Sequence, residues 1–362
     1  MAGVKELEKE VIGAGLCTSC GACIGICPYI NVVKDKVVVI EPCGITDGRC
    51  YRFCPRTSSD LTILSESIFG SKRSNFTMGH HTSVEMAQAT DPKVRSSSQY
   101  GGVVSALISH ALNSGLIDEA VLTKPFDDGF MPDPCIARDE DEVLECTRSN
   151  YIAAPTLKNL NEAIKERDGD IGVVGTPCQV LAIRKMQMQD LSDTRLKLVI
   201  GLFCTWAVPY NEFYDYLNDK IDLNSVNRLD IPPPPKEALV ATDEDGKVEL
   251  PLEDIRDIVK KTCRICYDMT SEFADISVGM VEGMEDWNTL IVRTQKGAEL
   301  VRSAISEDVI RVEPLDDARY NHLHEASLNK KKRAIEAIVK RTKNEEDLSY
   351  LNISKEERDA VS

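Results

Sequence analysis

The sequence predicts an α/β protein, with a bacterial-ferredoxin-like region at the N-terminus followed by a mixed α/β domain that ends in a helix. Three observations predict it. Seven cysteines fall between residues 17 and 54, four of them in the tight run CTSCGACIGICP. From Gly101 onward, short apolar runs suited to strands alternate with amphipathic helical segments, the pattern of a largely parallel sheet covered on both faces. The long stretch HEASLNKKKRAIEAIVKRTKNEEDLSYLNI is charged and rich in helix formers.

At 362 residues the chain has room for two or three domains of roughly 100 to 200 residues and for a substantial core. Its 42% apolar and 28% charged content is ordinary for a globular protein, and a net charge of -16 argues against general affinity for nucleic acid or anionic lipid. No apolar run approaches the roughly 18 residues of a membrane span, and MAGVKELEKEVIGAGL is charged where a signal peptide is apolar. The expected location is the cytoplasm, without a direct membrane span. Thirteen cysteines against five histidines (His80, His81, His110, His322, His324) favour thiolate metal chemistry over imidazole chemistry. An odd cysteine count without a secretory leader does not suit a disulfide scaffold, so iron–sulfur clusters or structural zinc are the candidates.

Taken in order, the first element is residues 1–60. Cys17, Cys20, Cys23, Cys27 and Pro28 reproduce the run C-x2-C-x2-C-x3-C-P without a mismatch. Three closely spaced thiolates wrap one 4Fe-4S cube, the small Gly21 and Ala22 let backbone N–H groups approach it, and the chain turns Cys27 away at the proline. In two-cluster ferredoxins that fourth cysteine serves the other cube, so the first set is Cys17, Cys20, Cys23 and Cys54, the last from CYRFCP. The second run, CGITDGRCYRFCP, keeps Cys50 and Cys54 before Pro55 but has Asp47 three residues before Cys50, with Cys43 one residue too far back. Cys27, Cys43 and Cys50 therefore form the second set. Asp47 either supplies a carboxylate ligand or starts an Asp-Gly turn. Without a fourth ligand the centre is of three-iron or labile four-iron type. A zinc ribbon suits the region less well, because zinc pairs have longer spacers and no C-P ending.

Residues 61–95 are polar and weakly patterned, as in a connecting segment, and residues 96–345 carry the α/β pattern. GGVVSALISHALNSGL is an amphipathic helix ended by Gly115. EAVLT, IGVVG and LKLVIGLFC read as strands, TLKNLNEAIKE and CQVLAIRKMQ as helices, and Asp245-Gly246 as the turn of a hairpin after the prolines of IPPPPK. The charged helix, with its Lys330 to Arg333 run, leads to a tail at 346–362. Cys178 and Cys204 each follow an apolar strand, where ligands gather in α/β sheets. With Cys263 and Cys266 of CRICYD they offer four thiolates for a third cube, or else they are small buried hydrophobes. Cys135 and Cys146 are spare.

The order SQYGGVVSALISHAL, GLIDEAV, GTPCQVLAIRKMQ, IGLFC, CRICYDMTSEFADISVG and DWNTLIVRTQKG closely resembles the coenzyme F420 hydrogenase/dehydrogenase beta-subunit family over most of residues 95 to 340, in its branch with an N-terminal two-cluster ferredoxin region. The resemblance implies that the second domain is a flavin-binding domain with FAD, that Cys178, Cys204, Cys263 and Cys266 hold a 4Fe-4S cluster beside the flavin, and that three iron–sulfur clusters work in all. Coenzyme F420 is the implied substrate. The implied partner is a hydrogenase, formate dehydrogenase, heterodisulfide reductase or membrane electron-transfer complex, through which the chain would sit peripherally on a membrane.

No G-x-G-x-x-G fingerprint opens a βα unit, so FAD would not be held in Rossmann fashion. Candidate contacts are Gln99, with Gly101 and Gly102 at a helix N-terminus that favours anions; Thr176 and Gln179 around Cys178; and Ser277, Gly279, Trp287, Asn288 and Thr289. Trp287 either stacks on a ring or fills core. Arg293 and Lys330 are candidate cations for a pyrophosphate or a carboxylate-bearing donor tail. Family members commonly have Ser-Pro-Asp-Gly-Trp-Ser where this chain has GMEDWNTL, and a Gly-Lys segment in place of IPPPPK, which bears on the donor. The competing functions are an NAD(P)H- or ferredoxin-linked relative, a direct reductase of an organic substrate, and a non-catalytic iron–sulfur electron carrier.

Overall fold

The structure, a computed structural model, describes residues 2–125, 130–189, 195–233, 236–244 and 246–361. The N-terminal region begins with a helical segment, Val4–Leu7, that widens into a π turn at Glu8–Ile12. Val4, Leu7 and Val11 line its inner side. A hairpin follows, β1 (Ile30–Val33) and β2 (Lys36–Val39), paired antiparallel with Ile30 opposite Val39. Lys34 takes a positive φ in the connecting turn. Ile30 and Val37 face inward while Val33 faces water, the alternation of a sheet with one buried face. After the second cysteine run comes the short strand β3 (Ser59–Asp60).

The dominant element is an eight-stranded sheet made of β4 (Ser83–Ala89), β5 (Glu119–Lys124), β6 (Asp133–Ala137), β7 (Ile171–Gly175), β8 (Leu196–Leu202), β12 (Ile276–Val281), β13 (Met284–Val292) and β14 (Ile310–Pro314), in the order β14-β4-β13-β12-β8-β7-β5-β6. Its centre, β5, β7, β8 and β12, is parallel; the pairs β5–β6, β12–β13, β13–β4 and β4–β14 are antiparallel. The sheet is therefore mixed, and not largely parallel as the alternation of strands and helices predicts: three strand pairs are parallel and four, all outside the central block, are antiparallel. A separate three-stranded antiparallel sheet holds β9 (Arg228–Asp230), β10 (Ala238–Thr242) and β11 (Lys247–Pro251) in the order β11-β10-β9. The expected hairpin is β10–β11; Asp245, like Pro234 and Pro235 of the proline run, lies outside the described residues.

One face of the large sheet is covered by the Val103–Asn113 helix, whose Val103, Leu107, Ile108 and Ala111 are fully buried against Ala87, Leu198, Ile200 and Leu290. The other face carries the Leu157–Glu166 and Pro177–Gln189 helices, the Asp317–Thr342 helix and the N-terminal region, which share one continuous core. Phe53, Leu61 and Leu64 sit in that core beside Val173, Val180 and Ile183. The cysteine-rich region is built into the main body.

Two segments differ from expectation. The stretch read as a connector supplies β4, an interior strand of the large sheet, and the helix Leu61–Phe69. The described part of the segment read as a tail, 346–361, also carries structure: β15 (Leu351–Asn352) pairs parallel with β3, and Glu357, in the final helix Lys355–Val361, is fully buried against Arg73. Among the described residues no helix is long and apolar enough to cross a membrane.

Candidate functional site

β7 and β8 are parallel neighbours, so their carboxyl ends lie side by side. Pro177, which has no N–H to give a strand and a φ suited to a first helical turn, ends the extended run and starts the helix that carries Cys178. Cys204 follows β8, and its N–H donates to the Met269 carbonyl at 2.9 Å. The loop bearing the other two cysteines is fastened to the same place, since the Ala207 N–H donates to Cys263 Sγ at 3.3 Å and the Lys260 N–H to the Ala207 carbonyl at 3.0 Å. Cys204 lies within electrostatic reach of Cys263, Cys178 and Cys266, Cys263 reaches Cys266 and Cys178, and Cys178 and Cys266 line one cavity.

Burial pushes the Cys204 thiol up and raises Cys263 to about 11. Burial also opposes ionisation of Cys266, but the positive Lys330 and Arg56 beside it prevail and hold that thiol below its ordinary value. Lys330 donates to the Cys204 carbonyl; burial works against its charge, yet Cys266, Cys204 and Cys263 keep its pKa above the usual lysine range.

Cys17, Cys20, Cys23 and Cys54 line a second, small cavity together with Leu7, Val11, Ile12, Gly21, Ala22 and Val37. This is the first set read from spacing. Burial raises all four thiols, Cys54 to about 11. Four desolvated thiols are poorly placed to ionise alone and well placed to do so as ligands of a cationic centre. Among the described residues no three His, Cys, Asp or Glu side chains close on a point as a single metal ion requires.

Cys50 lies within electrostatic reach of Cys27 and Cys43, and burial lifts it to about 11. The Asp47 carboxylate is more than half exposed and lies 3.5 Å from the Arg52 guanidinium. The three sets are also in reach of one another: Cys178 of the third acts on Cys17 and Cys20 of the first, and Cys50 of the second acts on Cys23.

Many of the expected flavin contacts gather along the carboxyl edge of the parallel strands. Strand pairing sets Met280 opposite Asn288, Gly279 opposite Thr289, and Asn288 opposite Ala87, next to Gly101, whose carbonyl accepts from the Ala89 N–H at 2.7 Å. Asn288 accepts from the Val103 N–H at 3.2 Å and so holds the helix start; a Cβ on Gly101 would come within 2.8 Å of its side-chain oxygen. Thr176 Oγ1 is 3.4 Å from Cys178 Sγ. Gln179 turns inward to the Ala154 carbonyl and Thr156, and Gln99 and Tyr100 both reach Asp230 of β9. Arg293 lies past the other end of β13, buried, donating to Ser277 and to the Met78, His80 and Thr270 carbonyls. Trp287 is buried with Met86 and Val281, with the Arg311 guanidinium 5.0 Å from its ring centre.

Sequence reading missed the residues that seat the cysteine loops. Asn161 donates to the Ala22 and Ile24 carbonyls at 3.1 and 2.7 Å, and the Leu157 N–H donates to the Cys20 carbonyl at 3.0 Å. Lys185 donates to the carbonyls of Cys54, Thr57 and Ser58 at 2.7, 3.1 and 3.0 Å. Lys260 pairs with the buried Asp35 at 2.7 Å. One signal was available for Lys185: seven residues after Cys178, it shares a helix face with that cysteine.

Residues 84–161 match the family model for the N-terminal part of the coenzyme F420 hydrogenase/dehydrogenase beta subunit, and residues 168–318 the model for its C terminus. Coenzyme F420 hydrogenase subunit beta of Methanothermobacter thermautotrophicus is 28% identical over 73% of this chain and 96% of its own length. The subunit of the same name from Methanococcus voltae is 31% identical over 73% of this chain and 96% of its own. A solved chain of the F420-reducing NiFe hydrogenase complex from Methanosarcina barkeri is similar with a TM-score of 0.67 and 25% identity, over 74% of this chain and 95% of that one.

Proposed function

Because this chain belongs to the coenzyme F420 hydrogenase/dehydrogenase beta-subunit family, we propose that it is the flavin- and iron–sulfur-bearing subunit through which electrons pass between reduced coenzyme F420 and a partner oxidoreductase. The chemistry the bound groups supply is the conversion of two-electron hydride transfer into single-electron transfer.

The observation that carries this reading is the succession of three thiol sets from the carboxyl edge of the sheet outward. Cys178, Cys204, Cys263 and Cys266 would hold the cluster at the sheet edge, with Lys330 and Arg56 offsetting the negative charge of its thiolates. Cys17, Cys20, Cys23 and Cys54 would hold the next, in the cavity they line. Cys27, Cys43 and Cys50 would hold the third, with Asp47 left to its ion pair with Arg52. FAD would lie along the strand ends, where Gly101, Gly102, Gly279, Asn288 and Thr289 meet and Thr176 faces the thiols. The positions of Arg293, Trp287 and Gln179 argue for supporting roles in place of direct contact.

Exposed apolar residues Tyr29, Ile40 and Ile45 follow or flank Cys27 and Cys43 in the chain, and they suit a face for electron exit to a partner. The likeness to a chain of a hydrogenase complex supports a hydrogenase-type partner. Anaerobic mixing of the FAD- and iron-loaded protein with reduced coenzyme F420, NADH, NADPH or reduced ferredoxin tests the proposal. Bleaching of the flavin by reduced coenzyme F420 is expected. Protein that retains no flavin, or that bleaches only with another donor, overturns it.

A further inference from the structure

Two of the thirteen cysteines belong to none of the three sets. Cys135 lies on β6, the edge strand of the large sheet, and Cys146 caps the short helix Glu140–Glu145 that folds back on that strand. Their sulfurs are 2.7 Å apart, inside ordinary van der Waals contact, although eleven positions separate them in the chain. Each is only partly buried, so neither residue is sealed in the core. We infer that Cys135 and Cys146 form a reversible dithiol–disulfide centre that exchanges with low-molecular-weight disulfides, separate from the electron path.

The roles of the two thiols follow from their surroundings. Either sulfur can donate in this contact; with the proton on Cys146, the bond favours the thiolate on Cys135 and disfavours it on Cys146. Lys124, on the neighbouring strand β5 and paired with Glu145 at 2.7 Å, adds positive charge beside both sulfurs. Cys135 is the attacking sulfur: its thiolate bonds to one sulfur of a disulfide RSSR, the RS–SR bond breaks and one RS⁻ leaves and takes up a proton. Cys146 then gives up its proton and attacks the Cys135 sulfur, closing the Cys135–Cys146 bond and releasing the second RS⁻. The balance is RSSR plus two protein thiols giving one protein disulfide and two RSH, with two electrons passing to the small disulfide. Disulfides that form in reducing compartments are of this exchanging, redox-sensing kind. Neither sulfur belongs to the proposed electron path.

The test uses the full-length, iron-loaded protein under anaerobic conditions, exposed to oxidised glutathione, then alkylated and mapped by peptide mass spectrometry. The expected result is a single Cys135–Cys146 cross-link with two glutathiones released and cluster absorbance retained. The Cys146→Ser protein should accumulate one glutathione on Cys135. The Cys135→Ser protein should react about tenfold more slowly. A wild-type protein that keeps both thiols in excess oxidised glutathione overturns the inference, as does a mixed disulfide that forms on Cys146 in preference to Cys135.

Discussion

The guanidinium of Arg56 stacks on the ring of Tyr350, 4.5 Å from its centre. Arg56 follows the last cysteine-proline pair of the N-terminal region, and Tyr350 lies near the other end of the chain. The Tyr350 hydroxyl donates to the Ile265 carbonyl at 3.0 Å and accepts from the Tyr267 N–H at 3.2 Å. One aromatic residue thus braces both sides of Cys266 while holding the arginine that faces it.

Tyr350→Phe keeps the stacked ring and leaves a buried carbonyl and a buried N–H without their partner. The expected loss of stability is about 1–3 kcal/mol, seen as a lower urea midpoint. An unchanged midpoint would show that the hydroxyl contributes nothing to bracing the loop.

Glu272 sits between Arg73 and Lys331 with all three side chains buried. Burial favours its neutral form, but Arg73 and Lys331 outweigh it and hold the carboxyl below the usual range. A depressed carboxylate contributes stability that is present above the unfolded pKa of about 4.3 and lost as pH falls through the lower folded value. Glu272→Gln should cost about 3–5 kcal/mol near neutral pH. The thermal midpoints of variant and wild type should converge in acid; a gap that stays constant with pH counts against the ion pair as its source.

Cys263→Ser should lower bound iron by about four atoms per chain and stop transfer from donor to partner, while the donor still reduces the flavin. Iron analysis and flavin absorbance read the two effects separately. Full iron content in this variant defeats the assignment of the third set.

Asp47→Asn should leave iron content and the low-temperature EPR spectrum unchanged, because the carboxylate faces Arg52 and solvent. Cys43→Ser should remove or convert the outer centre. A spectrum altered by Asp47→Asn would make the carboxylate a ligand.

The two N-terminal cysteine groupings can be read from the sequence because their spacing is local, whereas Cys178, Cys204, Cys263 and Cys266, scattered along the chain, are joined only by the resemblance; the ends of β7 and β8 are legible because apolar runs stop at Thr176 and Cys204. β4 was not legible. SVEMAQA alternates weakly, and its partners β13 and β14 lie some two hundred residues away. The closing segment was missed for the same reason, since β15 pairs with β3 and Glu357 meets Arg73 across almost the whole chain. Arg293 reads as a cation free for a ligand until the fold turns it inward onto carbonyl oxygens.

Lys185 and Asn161 grip the cysteine loops by main-chain oxygens, from two helices of the main body. Such anchors oppose a swinging arm. If the three sets form the proposed relay, transit along it is set by fixed tunnelling gaps, and thickening the solvent with glycerol should slow encounter with a partner without slowing the internal hops.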